Sequence, residues 1–166
     1  MIVDLGSGGD PERWKPNSIK LDLNYCDVVL KPNQTVEDLT PDERINKVIW
    51  CNVRKKLPLF NNSVDVMYAT FSLSYMWEDV IDLVCIFGDL IRVMKQGAIL
   101  QVVDYSHVLD PSTGDYVNQD PQIIDDQLKT ALQVPYLRGE FEPEFVGYNR
   151  EGDLPEYCWI LRAHKY

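Results

Sequence analysis

Two features of this chain bring a bare backbone and a carboxylate together at a spacing that suits a nucleoside. Gly6, Gly8 and Gly9 cluster in "VDLGSGGDP", directly behind an apolar run, and Asp22 stands near the end of "IKLDLN". Glycine allows positive φ and lets a ligand approach the main chain without a Cβ in the way. A carboxylate at a strand end can accept both hydroxyls of a ribose from one rigid group. Each feature also has an ordinary reading, a strand-end turn and a strand-end acid, and it is the pair that points to a nucleoside. The dinucleotide pattern G-x-G-x-x-G would need a third glycine where Pro11 stands. Only ten residues separate Gly8 from Ile19, room for one or two helical turns and not for a full helix aimed at a pyrophosphate. A nicotinamide-dependent oxidoreductase is disfavoured on that ground.

Other reactive types are sparse. Of two histidines, His107 and His164, His107 follows the run "VVD" and is of the residue type that serves as a general base near neutral pH, although a bonded loop histidine would look the same. Tyr75, Trp77 and Tyr105 could wall a pocket or fill the core. Ser72 and Ser74 lack a surrounding G-x-S-x-G elbow, which argues against a hydrolase. Cys26, Cys51, Cys85 and Cys158 are scattered without a C-x-x-C pair, so no metal site is expected. The pattern suits reduced, mostly buried thiols in a cytoplasmic protein.

The elements that must position these residues alternate between two types. Met1–Leu5, Ile19–Leu23, Lys47–Cys51, Val64–Thr70 and Ala98–Asp104 read as strands buried on both faces of a parallel sheet. Phe141–Tyr148 and Tyr157–His164 flank the turn-rich "NREGDLPE" and read as an antiparallel hairpin. A helix is expected over Trp77–Lys95 with Gly97 as its C-cap, another from Pro121 to about Gln133, and a short one from Pro41, where Thr40 and Glu43 form a capping box. The stretch Tyr105–Gln119 reads as a long loop. This is the α/β, doubly wound plan, whose ligand crevice lies beyond the carboxyl ends of the strands.

With 166 residues, one domain spanning 1–166 is expected. The 26 acids outweigh the 16 bases to a formal charge of -10, so a general nucleic-acid binder is disfavoured. No run approaches the roughly 18 apolar residues of a membrane span, and the first residues lack the order of a signal peptide. Arg54, Lys55 and Lys56 form the one dense basic run.

Taken in order, "VDLGSGGDP", "LDLN", "LPLFNNSVDVMYATFSLSY" and "DLIRVMKQGAILQVVD" resemble the class I S-adenosylmethionine-dependent methyltransferases. The resemblance runs from Met1 to Tyr105, and the late hairpin matches that family's last two strands. It implies a Rossmann-like, mostly parallel seven-stranded sheet. Asp4, Gly6, Ser7 and Gly8 would then hold the methionine part of S-adenosylmethionine, and Asp22 its ribose hydroxyls. Leu23, Asn52 and Val53 would face the adenine, with Thr70, Phe71 and Ser72 bordering the sulfonium. His107 and Tyr75 become the candidates for catalysis. The implied activity is methyl transfer to a small-molecule or protein acceptor. The rival reading is a non-catalytic protein of the same fold acting as a partner subunit or scaffold. A homodimer is a further expectation.

Overall fold

The computed structural model describes residues 1–8, 11–52, 55–70, 72, 77, 79–105, 107–109, 112–118, 121–135, 137–138, 140–148 and 158–165. Its centre is a seven-stranded sheet. The strands are β1 (Ile2–Leu5), β2 (Ile19–Asp22), β3 (Val48–Trp50), β4 (Val64–Thr70), β5 (Met94–Tyr105), β8 (Phe141–Tyr148) and β9 (Cys158–Lys165). Two short strands, β6 (His107–Leu109) and β7 (Tyr116–Asn118), form a separate antiparallel ribbon. The helices are α1 (Pro41–Asn46), α2 (Val80–Val93) and α3 (Pro121–Leu132).

The sheet order is β3-β2-β1-β4-β5-β9-β8. The first five strands in that order are mutually parallel, and β9 runs antiparallel to both β5 and β8. Order reverses between β1 and β4. The chain leaves β1 toward β2 and leaves β4 toward β5, so the crossovers diverge there and open a crevice at the strand ends. Val3, Leu5, Leu21, Met67, Ala69, Leu100 and Val102 are buried along these strands, with Leu83, Ile86, Phe87 and Leu90 of α2 in the same core. Charged residues interrupt the apolar runs inside the sheet. Asp4 and Lys20 are buried register partners on β1 and β2.

Local chemistry explains most boundaries. Thr40 caps α1 by accepting from the Glu43 N–H, while the Glu43 carboxylate accepts from the Thr40 N–H, closing the expected box. Asp79 caps α2, accepting from the Ile81 and Asp82 N–H groups, so this helix starts later than Trp77.

The far end of α2 corrects the sequence reading. The helix stops at Val93, with Met94 as the cap, and β5 begins at once. Gly97 is a left-handed residue (φ +75°) inside β5, where the register jumps from Val64↔Met94 to Val66↔Ile99. Two steps on β4 face five on β5, and the surplus bulges around the glycine. The freed carbonyls at the helix end are met by Lys165, whose Nζ donates to Ile91 O and Met94 O, both at 2.8 Å.

Two other expectations change. The stretch expected as a long loop after β5 carries the β6–β7 ribbon, turned through the left-handed Gly114. Cys26 and Cys85 are exposed and only Cys51 is buried among the described cysteines, so the thiols are not mostly buried. Among the described residues no helix is long and apolar enough to cross a membrane, and no group of metal-ligating side chains forms a cluster.

Candidate functional site

The crevice at the β1/β4 switch point is built on a glycine turn whose two described glycines do different jobs. Gly6 has φ +69°, and a Cβ there would lie 2.1 Å from the Ser72 Cβ. Its bareness makes room for Ser72. That serine is buried and donates from Oγ to Leu5 O at 3.0 Å, while its N–H donates to the Asp104 carboxylate at 3.0 Å. The ends of β1, β4 and β5 are thereby locked together. Gly8 also has positive φ (+65°), but its missing Cβ points into open space, with no atom within 4 Å. At this glycine the backbone is left uncovered.

Between them stands Ser7. Its Oγ is buried and has no hydrogen-bond partner. Buried hydroxyls in native proteins are rarely left so, and an orphan of this kind calls for a ligand or a water.

Asp22, at the end of β2, ties the turn to its neighbours. Oδ2 accepts from the Gly8 N–H (2.8 Å), and Oδ1 accepts from the Asn24 (2.8 Å) and Tyr25 (3.1 Å) N–H groups. A carboxylate offers about four lone-pair sites. Three are taken by these backbone donors, which leaves acceptor capacity for a single further hydroxyl. Asp22 therefore shapes the turn through these three bonds.

Asp4 sits beneath the turn, buried, with Oδ2 accepting from the Lys15 N–H at 3.0 Å. Burial pushes its pKa up, against the Lys15 hydrogen bond and the charges of Lys15 and Lys20. Lys20 is lowered by burial, with Asp4 opposing; its Nζ donates to Ser18 O (2.8 Å) and Ile45 O (2.6 Å). Trp14 completes the floor, donating from Nε1 to Gly8 O at 3.2 Å and presenting its ring to the Lys20 ammonium at 5.1 Å. The residues after Gly8 form one 3-10 turn at Pro11–Arg13, in keeping with the room the sequence leaves.

The residues expected to face an adenine lie at the ends of β2 and β3. Leu23 is 42% exposed. Cys51 is buried beside it in the backbone network, its N–H donating to Asp22 O, and burial drives its thiol up to about 12, with smaller contributions from Asp89 and Asp22. Asn52 follows and is half-buried. Thr70 ends β4, opposite Val103 on β5. Val53, Phe71 and Tyr75 lie outside the described residues. His107 opens β6, in register with Asn118. Asp4, Gly6, Ser7, Gly8 and Asp22 thus form one connected group. Trp14 and Lys20 belong to the same network without having been singled out for it; Asp104, which the sequence offers either as a residue that orients a substrate or as a strand cap, joins it through the Ser72 N–H. A lysine and an aspartate inside otherwise apolar strands were the available signal.

No protein-family model and no curated protein matches the sequence. Solved structures do match in fold. An S-adenosylmethionine-dependent methyltransferase from Mesorhizobium loti superposes with a TM-score of 0.57 at 14% identity, over 99% of this chain and 90% of that one. A SAM-dependent methyltransferase from Aquifex aeolicus gives 0.56 at 16% identity, over 99% and 81%. A complex of the Haloferax volcanii Trm112 methyltransferase activator with a candidate methyltransferase gives 0.54 at 12% identity, over 99% and 81%. The fold is that of the class I S-adenosylmethionine-dependent methyltransferases.

Proposed function

We propose that this chain binds S-adenosylmethionine at the glycine turn and transfers its methyl group to a small-molecule or protein acceptor. The observation that carries the reading is the buried, unpartnered Ser7 hydroxyl beside the open face of Gly8, at the switch point of this fold. The residues present fit the group. Ser7 and the bare backbone at Gly8 would hold the methionine part, and the free acceptor position of Asp22 one ribose hydroxyl. Leu23 and Asn52 would flank the adenine. When bound, S-adenosylmethionine supplies an electrophilic methyl on a positively charged sulfur, a reaction that needs an acceptor held in line more than it needs a strong base.

The chain's own part is positioning. Ser72 and Asp104 hold the ends of β1, β4 and β5 together, and Asp4 anchors the chain beyond the 3-10 turn at Lys15. Thr70, with Phe71, Tyr75 and His107, supplies the acceptor side, His107 being the candidate base for a weak nucleophile. The acidic charge of -10 favours acceptors other than nucleic-acid backbones. A partner subunit would cover the exposed Leu23, Tyr25 and Trp50, as the fold likeness to a chain solved with an activator invites.

Methyl-labelled cofactor tests the activity. Label is expected to pass to a panel of small amines, phenols and carboxylates, or to added protein. Cofactor binding with no transfer to any of them, in the presence and absence of cell extract as a source of partner, would favour a non-catalytic role.

A further inference from the structure

A cavity lies at the opposite end of β1 and β2 from the glycine turn. It has a volume of 320 Å³ and is lined by Met1, Ile2, Asn17, Ile19, Pro41, Arg44 and Ile45. These residues open β1 and β2 and form α1, so one strand length, about 10 Å at roughly 3.3 Å per residue, separates it from the crevice.

Its wall is mostly apolar, and Asn17 and Arg44 are the polar side chains among its lining residues. Arg44 lines the cavity, and its Nε is buried without a hydrogen-bond partner. The acids on the same helix are engaged elsewhere: Asp42 accepts from Asn46, and Glu43 is locked to Thr40. Lys20, close by, is satisfied by Ser18 O and Ile45 O and competes for no anion. In a chain with 26 acids and 16 bases, an arginine that lines a mostly apolar hollow and keeps a buried, unpaired Nε–H is anomalous. Such a donor is costly to bury unless something accepts from it.

We infer that this cavity binds a small carboxylate with an apolar tail, its headgroup on Arg44 and its tail against Ile2, Ile19 and Ile45. The guanidinium is planar and forked, which suits a carboxylate through two parallel N–H donors. The volume is at the lower end of the range for small-molecule sites. Neither argument depends on the cofactor crevice, so this site stands or falls apart from the proposed activity.

The test uses the whole chain with isoleucine methyl groups labelled for NMR, and octanoate as the probe. Octanoate is expected to shift the methyl resonances of Ile2, Ile19 and Ile45 saturably and to leave Ile86 and Ile124 unmoved. Octylamine should give no shift, and octanol should bind at least tenfold more weakly. R44Q should weaken octanoate at least tenfold, R44K by less, with the Ile86 and Ile124 signals reporting an intact core. Equal response to octanol, no response to octanoate, or undiminished binding by folded R44Q would each overturn the proposal. So would shifts of the same three methyls with protein concentration alone, which would give the hollow to a second copy.

Discussion

Gly6 and Ser72 occupy one volume between them: the Cβ that Gly6 lacks would stand 2.1 Å from that of Ser72. The opening glycine of the turn is thus a packing residue at the meeting of β1 and β4, and the position left open is that of Gly8. The two positions are expected to respond differently to the same change. Gly6→Ala should cost about 2–5 kcal/mol, from left-handed strain of roughly 1–2 kcal/mol and a clash of roughly 1–3 kcal/mol. Gly8→Ala should cost only the strain, about 1–2 kcal/mol, and leave a folded protein whose crevice is narrowed. Urea denaturation of the two variants checks this, and equal losses would remove the distinction.

Arg92 and Asp89 clamp the segment between β3 and β4 to α2. The guanidinium donates to Asp89 Oδ1 (2.6 Å), Leu57 O and Leu59 O (2.8 Å each) and Asn61 Oδ1 (2.9 Å), while Asp89 accepts from the Leu57 N–H at 2.5 Å. Both side chains are largely covered, 20% and 17% exposed. Arg92→Ala strands two carbonyls and a carboxylate and is expected to lower stability by about 2–4 kcal/mol. A double-mutant cycle with Asp89→Ala should return strong coupling between the two.

The buried carboxyl of Asp4 gives a pH signature. Its folded pKa is raised above the ordinary 3.8, chiefly by burial, so between 3.8 and the raised value the native state holds more protons than the unfolded one. Stability contributed by this group is therefore present at low pH and lost as pH rises through that window. Asp4→Asn keeps an oxygen for the Lys15 N–H and carries no charge. The stability difference between variant and wild type is expected to move in the variant's favour as pH rises from 3.8, then level off. A constant difference across urea midpoints from pH 3.5 to 7 would contradict the assignment.

Lys165 closes α2 from a distance in sequence, and Lys165→Met is expected to cost about 1–2 kcal/mol by freeing the Ile91 and Met94 carbonyls. Amide hydrogen exchange should rise first in the last turn of α2.

These cases mark what the sequence could carry. The five parallel strands were legible because each is a short, nearly unbroken apolar run, and α1 because Thr40, Pro41 and Glu43 state its start. The strand-end position of Asp22 was legible too. Its three backbone bonds were not, since they depend on where the chain goes after β2. Gly97 misled because a glycine after an amphipathic helix signals a C-cap, while here the sheet register decides its place. Lys165 is separated from Ile91 by most of the second half of the chain, and no local pattern announces such a cap. The β6–β7 ribbon was not legible, because its strands are three residues each and too short to state a pattern within a stretch that reads as a loop.

The most direct measurement is calorimetric titration of wild type and Ser7→Ala with S-adenosylmethionine and its demethylated product, beside urea denaturation of both proteins. The Ser7 hydroxyl has no partner within the protein, so the substitution should leave stability unchanged or slightly raised. Wild type should bind saturably in the micromolar range. The variant should bind about tenfold more weakly, one hydrogen bond of roughly 1.4 kcal/mol. No binding by folded wild type, or equal affinity in Ser7→Ala, would contradict the account of this turn as the cofactor cradle.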